Sequence, residues 1–130
     1  MPSDALRPLH RLSALGQSVW VDFLSRDSIR GGHLQQLIDE FAVVGATSNP
    51  TIFQKAMTAG NAYDEQLHEL AGTGGDVQDA FWALAMDDIR DACEVFRPVW
   101  ESSGGRDGYV SLEVDPRLAY DTQLEAHSGL

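Results

Sequence analysis

Hydrophobic positions in the first half of the chain switch between two periods. From Ser18 to Leu24 the run SVWVDFL is rich in β-branched and aromatic residues, with Trp20, Asp22 and Leu24 alternating against Val19, Val21 and Phe23; this predicts a short strand. After the Gly31-Gly32 break, Leu34, Leu37, Ile38 and Phe41 recur at helical spacing, and a second strand is predicted from Val43 to Ser48. Asn49 stands where a helix is capped and Pro50 at the first helical position, where a missing N–H costs nothing, so a helix is predicted to begin there.

The second half repeats the alternation on a longer scale. Asn61 to Leu70 predicts a short helix with Tyr63, Leu67 and Leu70 on one side, closed by Gly72, Gly74 and Gly75. Asp76 can cap a long helix whose apolar positions Val77, Ala80, Phe81, Leu84, Ile89, Ala92, Phe96 and Val99 follow a 3–4 spacing up to Gly104-Gly105. Pro98 is expected to kink or end its last turn. The run GYVSLEV at 108–114 predicts a third strand, stopped by Pro116. Strands separated by helical stretches long enough for crossovers imply parallel pairing with helices outside the sheet. The fold class is therefore α/β, with about three parallel strands in a single domain over residues 1–130 and no internal repeat.

Composition narrows the function classes. With 43% hydrophobic and 22% charged residues the chain has an ordinary globular balance. A net charge of -11 and nine scattered basic residues argue against nucleic acid as a partner. No apolar run approaches the ~20 residues of a membrane span, and the first residues lack a secretory signal pattern. A cytoplasmic protein with no membrane partner is expected. The one cysteine, Cys93, lies in a helical pattern and reads as a small hydrophobe. The four histidines form no ligand spacing, so no metal is expected.

Three polar residues stand at predicted strand ends, which is where β/α barrels carry their chemistry. Asp22 interrupts an apolar strand, Asn49 follows the second, and Glu113 lies inside the third on the same face as Ser111. Two carboxylates and an amide would converge there. An acid within a strand has to be paired, hydrogen-bonded, protonated or in contact with water, so an ion pair or an exposed edge explains Asp22 and Glu113 as readily as a catalytic role does. For Asn49, a helix cap alone is sufficient reason.

The string TSNPTIFQKA at 47–56, preceded by SVWVDFLSRD at 18–27 and followed by GYVSLEVDPRLAYDT at 108–122, resembles transaldolase, particularly the longer bacterial type. The resemblance spans most of residues 9–122 and corresponds to the N-terminal portion of that family, about the first three β/α units of a (β/α)8 barrel. It implies a transferase of carbohydrate metabolism, in the pentose phosphate pathway, that moves a dihydroxyacetone unit from sedoheptulose 7-phosphate to glyceraldehyde 3-phosphate. The route implied is a Schiff base on a lysine, with sugar phosphates as ligands and no cofactor or metal. Asp22 is implied to exchange the proton of the hydroxyl whose C–C bond breaks, and Glu113 to act through a bound water in forming and hydrolysing the imine. Asn49 is implied to hydrogen-bond the three-carbon unit, with Thr47 and Ser48 supporting the strand end.

The chain departs from that pattern in two ways. Its only lysine, Lys55, falls opposite Ile52, Phe53 and Ala56 on the predicted helix, where it is expected to stay in water, so no Schiff-base lysine is assigned. Residues 123–130 read as a divergent tail that resembles a truncated or frame-shifted end. An inactive single chain with an open sheet edge and poor solubility is expected, as is a complementing chain or a homo-oligomer as possible partner. The competing reading is a non-catalytic barrel fragment or an assembly module completed by a second chain.

Overall fold

A computed structural model describes residues 7–113 and 120. The order of elements is α1 (Pro8–Ala14), β1 (Val19–Val21), α2 (Arg26–Arg30), α3 (His33–Phe41), β2 (Val43–Thr47), α4 (Pro50–Thr58), α5 (Asp64–Ala71), α6 (Val77–Ser102) and β3 (Tyr109–Ser111). The three strands form one parallel sheet in the order β1-β2-β3. Consecutive strands lie side by side and are joined by helical crossovers, which is the winding of an α/β barrel and is shared by one half of a doubly wound sheet. The α/β class and the parallel pairing hold, and the sheet has the winding expected of a partial barrel.

Register decides which side chains share a face. Val21 pairs with Ala46 and Ala46 with Val110, and this row joins Leu34 of α3 and Ala85, Ile89, Ala92 and Phe96 of α6 in one core. The 3–4 spacing of α6 thus supplies most of the helical layer. The neighbouring row, Trp20, Gly45 and Tyr109, faces the other way. Trp20 and Tyr109 stay 39% and 48% exposed, so among the described residues that face carries no comparable layer. The Trp20 indole lies so close over Gly45 that a Cβ at that position would collide with the ring.

Several sequence expectations are corrected. The strands are shorter than their patterns: β1 covers Val19–Val21 and β3 covers Tyr109–Ser111, so Glu113 lies two residues past its strand rather than inside it. After Val21 the chain bends to bury Leu24 and to use Ser25 as a cap, which ends the ladder on that side. On the other side the Ser48 N–H and hydroxyl both donate to the Ser111 carbonyl, at 3.1 and 2.7 Å, and Pro50 then turns β2 into α4. Val114, the segment 115–119 and the tail 123–130 lie outside the described residues.

Helix α6 does not stop at Pro98 but continues to Ser102. Pro98 and Glu94 are both exposed, so the carbonyl that loses its helical partner can meet water instead. Asp76 is the N-cap residue of α6, but its side chain makes no capping bond. Leu67 does not join Tyr63 inside and remains 37% exposed, while Tyr63 is buried just ahead of α5. Two helices are absent from the pattern reading. One is α1, with Pro8 in its first turn. The other is α2, closed by a capping box in which Ser25 and Ser28 each accept the other's backbone N–H at 3.1 Å. Among the described residues no helix is long and apolar enough to cross a membrane.

Candidate active site

Parallel pairing puts the C-terminal ends of β1, β2 and β3 on one rim of the sheet. Each strand delivers one of the expected polar residues there: Asp22 directly after β1, Asn49 two residues after β2, and Glu113 two residues after β3. Asp22 and Glu113 are exposed and Asn49 is half-buried. Thr47 pairs with Ser111 across the sheet, and one step beyond the Val21–Ala46 pair the register sets Asp22 level with Thr47.

That level placement is used. The Thr47 hydroxyl donates a hydrogen bond to Asp22 Oδ1, which ties the first carboxylate to the end of the second strand. Ser48 is buried, and its two bonds to Ser111 hold the ends of β2 and β3 together. Thr47 and Ser48 are therefore supports of the rim, one toward β1 and the other toward β3.

Asn49 does what its position before a proline predicts: its Oδ1 accepts the Thr51 N–H at 2.8 Å and caps α4. Capping occupies the carbonyl oxygen of the amide and leaves its two N–H donors for another partner. The structural and the binding reading of Asn49 are thus compatible, since the cap fixes the amide plane. Glu113 borders a narrow crevice of about 10 Å³ that Ser48, Phe53, Phe81 and Trp82 also line. Its other walls are mostly apolar, so it offers a water few of the partners it would need.

The rim gathers Asp22, Thr47, Asn49 and Glu113 at one end of the sheet, but hydrogen bonds among the described residues link only Asp22 and Thr47 to each other. Lys55 sits exposed on α4 while Phe53 is buried and Ile52 and Ala56 are half-buried, so its amine is not turned to the core. Among the described residues no group of three His, Cys, Asp or Glu side chains is arranged to hold a metal ion. Cys93 is exposed, and partial burial pushes its thiol up from its ordinary value, away from the thiolate that a nucleophile needs.

Behind the rim is a buried polar cluster that the pattern reading missed. Arg26 of α2, Tyr63 and Asp88 of α6 are 4%, 1% and 0% exposed. Arg26 Nε donates to Asp88 Oδ1 at 2.7 Å, the Tyr63 hydroxyl donates to Asp88 Oδ2 at 2.5 Å, and the Arg26 backbone N–H donates to the Tyr63 oxygen at 2.9 Å. Desolvation by burial raises the Asp88 carboxyl above its usual range, against the lowering effect of its Tyr63 and Arg26 hydrogen bonds. The Tyr63 phenol is also pushed up, first by burial and then by its bond to Asp88. The one sequence signal was Asp88 among the apolar positions of α6, between Leu84 and Ala92 at i and i+4 spacing.

Comparison with known proteins adds an independent line. A family model described as Transaldolase/Fructose-6-phosphate aldolase matches residues 19–129. The chain is 57% identical over 114 residues to the transaldolase of Mycobacterium marinum (strain ATCC BAA-535 / M), covering 88% of this chain and 31% of that relative. It is 56% identical over 115 residues to the transaldolase of Mycobacterium tuberculosis (strain ATCC 25618 / H37Rv), with the same shares. The chain thus spans 31% of the length of the curated relatives it matches.

Proposed function

Because this chain belongs to the transaldolase/fructose-6-phosphate aldolase family, we propose that its strand ends form the acid–base and donor-binding part of an aldol-transfer site. The reaction is transfer of dihydroxyacetone from sedoheptulose 7-phosphate to glyceraldehyde 3-phosphate through a lysine Schiff base, a cytoplasmic step of the pentose phosphate pathway. The observation that carries this reading is the rim itself, where three adjacent parallel strands present Asp22, Asn49 and Glu113 with Thr47 bonded to Asp22.

Each residue then has a task suited to its surroundings. Asp22, exposed and held by Thr47, takes the proton from the hydroxyl next to the breaking C–C bond and returns it to the new aldol. Asn49, its oxygen committed to the helix cap, offers N–H donors to the hydroxyls of the three-carbon unit. Glu113, exposed past the end of β3, relays protons through a water while the imine forms and hydrolyses. The imine itself needs an amine in a desolvated site, and Lys55, the only lysine of the chain, is exposed. These 130 residues alone are therefore expected to show no turnover.

A chimera provides the test: residues 9–122 of this chain replace the matched segment of the Mycobacterium tuberculosis transaldolase, and fructose 6-phosphate formation is followed. The expected result is a working enzyme in which Asp22→Asn lowers kcat by about 10²–10⁴-fold. A folded chimera without activity, or one indifferent to Asp22→Asn, would sink the proposal. The exposure of Trp20 and Tyr109, on a face that no helix among the described residues covers, favours a second reading, a barrel segment that docks onto a separate chain. Co-purification with the remaining part of such a relative separates that reading from the first.

A further inference from the structure

The chemistry above makes no use of the buried cluster of Arg26, Tyr63 and Asp88, although it is the most deeply buried charged group among the described residues. Stability is a weak reason for such a cluster. A buried ion pair is often no more stabilising than apolar side chains of the same volume, because desolvation offsets the attraction. Here the desolvation is visible in the raised Asp88 carboxyl. What sets the cluster apart is its place in the fold.

Arg26 follows Asp22 by four residues. Between them Leu24 is 1% exposed in the core and Ser25 is held in its capping box. The first end of the segment is tied by Thr47 to Asp22. The far end is tied twice: the Arg26 backbone N–H bonds the Tyr63 hydroxyl at 2.9 Å, and its guanidinium bonds Asp88 at 2.7 Å while lying 4.3 Å over the Tyr63 ring. The three partners come from α2, the residue before α5 and the middle of α6, so the helical layer is locked to the exit of β1 at a single point. Polar bonds of defined direction fix a position more sharply than apolar contacts, which tolerate sliding.

We propose that Tyr63, Arg26 and Asp88 are positioning residues for Asp22, clamping the segment 22–26 so that the carboxylate is presented to Thr47 at the rim. The functional value of the clamp rests on the proposed role of Asp22, but its geometry is independent of turnover and can be tested on the chain as it stands.

The test is Tyr63→Phe in the full chain, which removes one oxygen while keeping the ring under the Arg26 guanidinium. Amide hydrogen exchange is measured by NMR together with the ¹³C resonance of the Asp22 carboxyl. The expected result is that amides of residues 23–29 lose about tenfold more protection than those of 84–96 in α6, and that the Asp22 resonance moves. An even loss over both segments with an unmoved Asp22 resonance would make the cluster a matter of stability alone and overturn the proposal. Should Tyr63→Phe fail to fold, Asp88→Asn, which keeps the volume and one acceptor, is read in the same way. If neither folds, the clamp is likewise overturned in favour of a global structural role. An inactive chimera with a displaced Asp22 resonance would remove the catalytic role and leave the clamp standing, so the two failures are distinguishable.

Discussion

Two single residues show how close contacts govern this molecule. Gly45 is the middle of the sheet's uncovered row, and the Trp20 indole occupies the space its Cβ would need. Gly45→Ala is therefore expected to destabilise the chain by about 1–3 kcal/mol, and by much less in a Trp20→Ala background. Urea denaturation of the double-mutant cycle measures the difference. Arg26 is the second case. Arg26→Met leaves the Asp88 carboxylate without its ion-pair partner, a loss of about 3–5 kcal/mol near neutral pH. Burial already raises the Asp88 carboxyl, and without Arg26 one of the groups that lower it is gone. A carboxyl raised in the folded state contributes stability that is complete below its unfolded pKa and is lost as pH rises through the folded one. The variant's deficit should therefore shrink as the pH is lowered from neutral toward the ordinary carboxylate range, seen as converging denaturation midpoints.

Among the elements, α4 isolates what the sequence makes legible. Asn49 before Pro50 announced a helix start, and the helix begins at Pro50 with the Asn49 side chain bonded to the Thr51 N–H. Asn49→Ala should cost about 1 kcal/mol through the lost cap, whereas Asn49→Asp keeps an acceptor oxygen and should be near neutral for stability. In the active chimera, by contrast, both substitutions are expected to weaken substrate binding, because only Asn supplies N–H donors. A melting curve and a KM measurement on the pair thus separate cap from ligand. The long 3–4 pattern of α6 and the period-2 runs of the strands were legible for the same reason, since each burial face repeats along one element. Strand lengths were not, because a strand ends where its neighbour ends. Ser48 closes the β2–β3 ladder from the other strand, and no pattern within 108–114 records that.

At the scale of the molecule, the described residues form a parallel sheet with a helical layer packed through Ala46, Val110 and α6, while Trp20 and Tyr109 are left exposed on the other side. Sheets of this kind normally have both faces covered. Charge is the counterweight: at -11 the chains repel one another near neutral pH. Light scattering is expected to rise steeply as the pH approaches the sequence pI near 4.5, where that repulsion vanishes. A Trp20→Lys substitution should lower the scattering at neutral pH by breaking the exposed aromatic face. An unchanged signal would place the self-association elsewhere.

Taken by itself, the sequence determined the α/β class, the three strands with their two helical crossovers and the kinship carried by the motifs around Asp22, Asn49 and Glu113, because these depend on periodicity and on residues adjacent in the chain. Only the tertiary structure decided that Thr47 bonds Asp22 across 25 positions, and that Arg26 meets Asp88 across 62. Such pairings are set by how the crossovers stack α2, α5 and α6 against the sheet. No local pattern encodes the distance between two elements, and while Asp88 stood out among the apolar positions of α6, Arg26 looks in sequence like an exposed residue until its partners are in place.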